Sequence, residues 1–464
     1  MRLNIHLPAI LLASIALGGC AVRGEATRVD MALPQAWSEP VTAGALPQAA
    51  WWHGFGSEEL DGLIAIALAD SPDLAVAAAR IRQAEAAVNS AGASLFPSLN
   101  LSANAGSRRS DAPGGAASAS ESTGLSLGIS YEVDLWGRID AGVRAAHASL
   151  QGTRHDFDAA RLTLAGGVAT GYFQLLATRA RLAIARDNLA IAERLMRIVD
   201  VRYRNGAASA LDVSRQRATV LTQRAALQPL EVLERQTLSA LAVLIGRVPQ
   251  GFAVEEGELQ RIAIPEIAPG LPSAVLARRP DLARAEAQLR AADANVEAAR
   301  AALFPSLQLS ASGGLASDAL LSLASPTRSL GLTASLAQTV FDGGRLRSQV
   351  AASEAQRIQL LETYRKAILT ALKEVEDALS NVARYRGQEE AQSAIRDEAQ
   401  RSLKLAELRY REGASDVAAV LDAQRTLYAA QDQLAQLRLA RLTGAVDMIK
   451  ALGGAPEQAG KDER

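Results

Sequence analysis

The sequence predicts a mainly α protein with two β-hairpins, built by duplicating one unit, and three observations carry that prediction. Composition is 49% hydrophobic but only 4% aromatic, and Ala, Leu, Arg, Gln and Glu, the residues that lose least on entering a helix, fill long stretches. The chain also matches itself at an offset of 208: Ser71 to Gly106 aligns with Arg279 to Gly314 without a gap, and 21 of the 36 positions are identical. Finally, within each repeat the apolar period switches from helical to alternating and back to helical.

The first residues read as a targeting segment over 1–19. Arg2 supplies a charged start, Ala9 to Leu17 an apolar run too short to span a bilayer, and Leu17-Gly18-Gly19 small residues before Cys20, the only cysteine. The pattern resembles the bacterial lipobox, in which such a cysteine is lipidated, against the plainer reading of a buried thiol. Ala21 follows where that resemblance would place an aspartate for inner-membrane retention, so the outer membrane is the expected destination. An extended segment over 20–58 comes next.

A helical segment over 59–95 opens the first repeat, with a helix from Ser71, as N-cap before Pro72, to about Ala93, stopped by Pro97. A hairpin is expected over 96–135. Leu99, Leu101 and Ala103 alternate with polar residues, then Leu125, Leu127, Ile129, Tyr131 and Val133 do so, around a Pro113-Gly114-Gly115 loop. The second repeat has a helix over 273–304 and a hairpin over 305–341, with Leu307, Leu309 and Ala311, a loop near Ser325-Pro326, then Leu330, Leu332, Ala334 and Leu336.

Each hairpin is followed by a long helical hairpin, over 136–245 and 342–452, reversing near 204–212 and 411–422 at Asn205-Gly206 and Glu412-Gly413. The leading arms lack proline and, at about 1.5 Å per residue, reach roughly 100 Å. Leu361, Tyr364, Ile368, Ala371, Val375, Ala378, Val382 and Tyr385 form one seven-residue seam. In the first arm Leu175, Leu182, Leu189, Met196 and Tyr203 make one series and Ile184, Ile191 and Ile198 another, about 200° away round the axis. Two apolar faces suit a helix in a closed palisade, and also a core helix covered on several sides. Residues 246–272 carry four prolines and read as an irregular connection, and 453–464 as a disordered tail.

No segment offers the eighteen or more apolar residues of a transmembrane helix, so a membrane crossing would fall to the strands, each long enough for one tilted pass. Phe96, Tyr131, Trp136, Phe304 and Phe341 sit at one end of the hairpins, as an interfacial girdle would. Four strands cannot close a barrel, and about eight leave a filled interior. Three chains supply twelve strands and an open lumen, although the arithmetic also admits a tetramer. Two soluble hairpins on a helical protein would show the same alternation.

Trp51-Trp52 with Phe55, then Leu60, Leu63-Ile64, Ala67-Leu68 and Pro72-Asp73-Leu74, the repeated Leu-Phe-Pro-Ser-Leu at Leu95 and Leu303, and Arg-Tyr-x-x-Gly at both tips resemble the TolC-like outer-membrane factors. Within them the likeness is to the lipoproteins of resistance-nodulation-division pumps, the NodT-like subgroup, and it covers nearly all of the mature chain. The resemblance implies a homotrimer: a twelve-stranded transmembrane β-barrel in outer-membrane lipid, continuous with a periplasmic α-helical barrel that is closed at its inner end. A periplasmic adaptor (membrane fusion) protein and an inner-membrane pump would engage it. It also implies a gate at the tips, onto which Tyr203, Gly206, Asp212, Tyr410, Gly413, Asp416 and Asp422 map. The family often has an acidic residue six positions after the second glycine. Here that position is Ala419, which leaves Asp416 and Asp422 as candidates for the constriction. Such acids would attract cations, while as ordinary tip residues they would be solvated or cap helices.

The remaining classes are excluded or open. A net charge of −1 without a basic face argues against nucleic acid. His53, His147 and His155 lack metal-ligand spacing, and no P-loop, dinucleotide fingerprint or Gly-x-Ser-x-Gly elbow occurs, so no enzyme activity, metal or cofactor is expected. Three functions fit: a passive gated efflux duct for drugs or other small toxic compounds, a duct for type I polypeptide secretion, or a lipid-anchored periplasmic coiled-coil scaffold without a pore.

Overall fold

The computed structural model describes residues 27, 31–39, 46–111, 113, 118–255 and 257–454; the targeting segment, Cys20 and the chain after 454 lie outside the described residues. The described helices and strands run α1 Glu58–Asp70, α2 Pro72–Ala93, β1 Ser98–Ser110, β2 Ser118–Val133, α3 Arg138–Arg204, α4 Ala210–Leu244, α5 Pro272–Leu276, α6 Pro280–Ala301, β3 Ser306–Ser317, β4 Thr327–Ala337, α7 Arg345–Arg411 and α8 Val417–Ala451. The protein is mostly helical with one four-stranded antiparallel sheet. It divides into two compact units whose boundaries fall inside α2, α3, α6 and α7.

Among the described residues the first unit comprises Thr27 and those within Arg80–Arg154 and Arg284–Lys366, and it holds the sheet. Its strands lie in chain order, β1-β2-β3-β4, so β2·β3 joins the two repeats and β1 and β4 form the edges. Cross-strand pairs align the apolar positions: Leu101 faces Leu127, Ile129 faces Ala311 and Leu309 faces Ala334. Beside the sheet, Arg144 of α3 binds Glu297 of α6 at 2.6 Å, and Arg300 of α6 binds Glu354 of α7 at 2.6 Å. α6 therefore lies between α3 and α7.

The second unit comprises the described residues within 31–79, 155–283 and 367–454. Its core gathers Phe55, Leu60, Ile64, Phe173, Leu176, Leu241, Leu442 and Ile449, with Phe55 and Phe173 rings 4.9 Å apart. α1 starts where Ser57 Oγ accepts from Leu60 N–H, and Glu58, Glu59 and Asp61 in its first turn face the positive helix end. Leu60, Leu63, Ile64 and Ala67 repeat at helical spacing and all enter the core. A second knot centres on Arg279, 7% exposed, which binds Asp281 and Glu374 and donates to the Ala451 carbonyl at the end of α8. Burial alone would raise the Asp281 pKa, but the Arg279 guanidinium outweighs it and holds the carboxyl below the usual range.

Several expectations are corrected. Segment 59–95 is two helices, broken at Ser71, and 273–304 likewise separates into α5 and α6. Ser71 sits before α2 with its carbonyl accepting from Ala75, yet its Oγ is buried without a hydrogen-bond partner, so the hydroxyl caps nothing. Glu58–Ala93 does reach a mean hydropathy of 1.5 over an eighteen-residue window, which the reading by runs of apolar residues missed. Asp70 and Asp73 flank its break, and α1 buries its apolar face in the core. In α3 the first predicted series enters the core at Leu175 and Leu182, but from 185 to 199 the most deeply buried residues are Ala185, Asn188, Ala192, Leu195 and Val199, which run between the two predicted series. Small residues won because a close helix contact needs small side chains at its centre, with the larger ones at its margins.

Candidate functional site

The two tips are built the same way. α3 ends in a Schellman turn: Ala207 N–H reaches the Arg202 carbonyl at 2.8 Å and Gly206 N–H the Tyr203 carbonyl at 3.0 Å. α7 repeats it with Ala414 to Arg409 at 2.8 Å and Gly413 to Tyr410 at 3.1 Å. Gly206 and Gly413 have φ of +72° and +75°, the left-handed conformation that closes each turn and that a Cβ disfavours.

Arg202 ties the tips together. Its carbonyl closes the first turn, while its Nη1 donates to the Tyr410 carbonyl at 2.9 Å and its guanidinium lies 4.5 Å over the Tyr410 ring. A cation thus caps the negative end of α7 and stacks on an aromatic face. Tyr410 is 5% exposed, above a cluster with Leu195, Val199, Leu403, Val417 and Val420, whereas its repeat counterpart Tyr203 is 47% exposed. Sequence reasoning named the Arg-Tyr pair at each tip without singling out Arg202. The doubled motif was the available signal, but it cannot say which arginine finds which tyrosine.

Within one chain the three acids are each held by their own helix. Ser209 caps α4 in a reciprocal box: Asp212 N–H donates to Ser209 Oγ at 3.1 Å, and Asp212 Oδ2 accepts from Ser209 N–H at 2.9 Å and from Oγ–H at 2.7 Å. Those bonds, the backbone one first, hold the Asp212 carboxyl below the usual carboxylate range. Asp416 is the N-cap of α8, accepting from Ala419 N–H at 3.1 Å. Asp422 lies further along α8, exposed, 3.2 Å from Arg425. The missing acid at Ala419 now has a physical account. Ala419 is three residues past its N-cap, as Asp212 is past Ser209, and an aspartate cap at 416 does alone what the serine-aspartate box does in the first repeat.

Above the tips the contact between α3 and α8 is polar at intervals. Arg181 grips Asp432 with two bonds of 2.6 and 3.3 Å. Gln216 of α4 and Gln424 of α8, 0% and 2% exposed, both donate into α3, to the carbonyls of Ala192 and Asn188. Buried amides of this kind fix which turn meets which.

The aromatics placed at the hairpin ends lie on the first unit. Trp136 stacks on Phe304 at 4.8 Å and donates from Nε1 to the Pro305 carbonyl at 2.7 Å. Phe96 and Phe341 are 71% and 89% exposed and Tyr131 is half-buried. No group of three or more potential metal ligands occurs among the described residues.

Comparison with known proteins gives one picture. A family model described as "Outer membrane efflux protein" matches residues 63–247 and 271–454, one stretch per repeat. The chain is 42% identical over 458 residues to the pyoverdine export outer membrane protein OpmQ of Pseudomonas aeruginosa, covering 96% of both chains. It is 31% identical to the outer membrane protein OprJ of the same organism over 96% of this chain and 95% of that one. A solved membrane protein from Pseudomonas aeruginosa superposes with a TM-score of 0.84 at 30% identity, covering 94% of this chain and all of the other.

Proposed function

The chain belongs to the outer membrane efflux protein family, whose members are channels rather than enzymes, and on that premise we propose that three copies form a passive, gated export duct. A periplasmic adaptor and an inner-membrane pump of the resistance-nodulation-division type supply the cargo and the energy. The cargo is a small molecule. A metabolite of the kind exported through OpmQ stands ahead of a drug, because identity to that relative is 42% against 31% to OprJ. Cys20 carries the lipid that tethers the mature chain to the outer membrane, and Phe96, Tyr131, Trp136, Phe304 and Phe341 sit at the lipid interface.

The tips are the gate. Tyr203, Gly206, Asp212, Tyr410, Gly413 and Asp416 shape the two turns, and Asp422 is the acid best placed to line a constriction, being free of any capping duty. The observation that carries this reading is Arg202, which locks the end of one hairpin to the end of the other through contacts that can be broken without unfolding either helix.

Single-channel conductance of the purified lipoprotein in a planar bilayer tests it. Discrete, mostly closed, cation-preferring channels are expected, and Asp422→Asn should raise the closed conductance or lower the cation preference. A protein that conducts nothing, with or without that substitution, would overturn the duct.

A further inference from the structure

The strand register sorts the sheet into two faces. One carries Leu99, Leu101, Leu127, Ile129, Leu330 and Leu332, of which the last two are 92% and 86% exposed. The other has no leucine, isoleucine or valine and is made mostly of serine, threonine, glycine and asparagine. A bare apolar face of this kind is a surface for another protein or for lipid, and in a membrane-spanning sheet it meets lipid. Along the strands that face carries three charged side chains, Arg109 of β1, Glu121 of β2 and Arg328 of β4, and all three lie toward the hairpin loops.

The two ends of the hairpins also differ in their aromatic residues. Transmembrane strands ordinarily carry an aromatic girdle at both interfaces. Here Phe96, Tyr131, Trp136, Phe304 and Phe341 all lie toward the helices, and the chain has no aromatic residue from 97 to 130 or from 305 to 340. The loop end of the apolar face has arginines instead. Leu336 and Arg328 lie eight residues apart on β4, roughly 27 Å of strand and roughly 20 Å of height at the usual tilt, which sets Arg328 at the rim of an apolar band about 25 Å tall. A cation on the lipid face is costly at mid-membrane and nearly free at the rim, where its stem lies along apolar surface and its head reaches out.

Both guanidinium groups are available to a ligand. The Arg328 side chain has no hydrogen bond or ion pair among the described residues. Arg109 Nε lies 3.5 Å from the Asp111 carboxylate, and both side chains are exposed, so that pair contributes little. Glu121, the acid on the same face, is engaged in the β3–β4 connection, where its Oε2 accepts from Leu320 N–H at 3.1 Å. A guanidinium presents a planar fork that matches two phosphate oxygens at once. We propose that Arg328 and Arg109 bind phosphate groups of the phosphorylated glycolipid in the outer leaflet, fastening the loop ends of the hairpins as the aromatic residues fasten the helix ends. The inference rests on the reading of the sheet as a membrane crossing.

Native mass spectrometry of the intact lipoprotein, extracted in detergent and mixed with bisphosphorylated lipid A, tests the site. Wild-type protein should retain lipid A. Arg328→Gln should weaken retention several-fold, Arg109→Gln less, and the double variant about tenfold, with elution volume unchanged. Lipid A stripped of both phosphates should bind wild-type protein no better than the double variant binds the phosphorylated form. Equal retention of phosphorylated lipid A by wild type and double variant would overturn the proposal, as would equal retention of both lipids by wild type, which leaves acyl packing alone. Loss of binding on chelating divalent cations, alike in wild type and double variant, would overturn it too and assign the phosphates to metal ions held by Asp111 and Glu121. A water-soluble thiol label on Leu332→Cys in cells separates the two readings. If lipid A fails to bind while that cysteine is shielded, the site falls and the membrane crossing stands; if the label reaches it, the crossing itself falls.

Discussion

At the scale of single residues, two side chains decide how the tips behave. Arg202 contributes a charge-assisted bond to the Tyr410 carbonyl and a stack on its ring, together worth about 2 kcal/mol locally. Arg202→Ala is expected to raise the closed-state conductance several-fold, whereas Arg202→Lys, which keeps the charge but loses the planar stack, should fall between. Equal conductance for all three proteins would relieve Arg202 of any part in closure. Asp212 sets a pH dependence. Its carboxyl is held below its ordinary value, so the box stabilises the start of α4 at neutral pH and loses that effect as pH falls through the lowered folded-state value. The protection factors of the amides at 209–212, taken against the unprotected rate at each pH, should therefore fall on acidification, and Asp212→Asn should show the lower protection already at neutral pH.

At the scale of elements, the duplicated helices are not equivalent. α4 contains Pro229 where its counterpart in α8 is Gln436, and a proline has no N–H to return to the carbonyl four residues earlier. Pro229→Ala should restore that bond and stabilise α4 by up to about 3 kcal/mol, seen as a higher melting temperature in circular dichroism. A lower one would mean that the proline is needed to seat Leu230 against Leu182 and Ala185. Legibility in sequence also stopped at this scale. The seam from Leu361 to Tyr385 is buried or half-buried throughout, because one heptad row faces one neighbour. The part of the α3 seam from Ala185 to Val199 escaped notice because alanines and an asparagine make its centre, and a search for large apolar residues marks only its margins there.

At the scale of the whole molecule, assembly and export are the properties to measure. Cys20→Ser should abolish palmitate incorporation while leaving a trimer able to form in detergent; unchanged incorporation would refute lipidation at Cys20. Deleting the gene should lower the secreted level of the exported metabolite, with antibiotic susceptibility changed less, and the reverse order would make drugs the main cargo. The family, the mainly α class with two hairpins, the repeat and the tip motifs were determined by the sequence alone. Periodicity and duplication are properties of residue order, and they survive without coordinates. Which arginine caps which helix, which acids serve as caps, and which copy of a repeated surface is covered were decided only in the tertiary structure. Identical motifs such as Arg202-Tyr203 and Arg409-Tyr410 carry the same local preferences, so only the neighbours that folding brings to each can tell them apart.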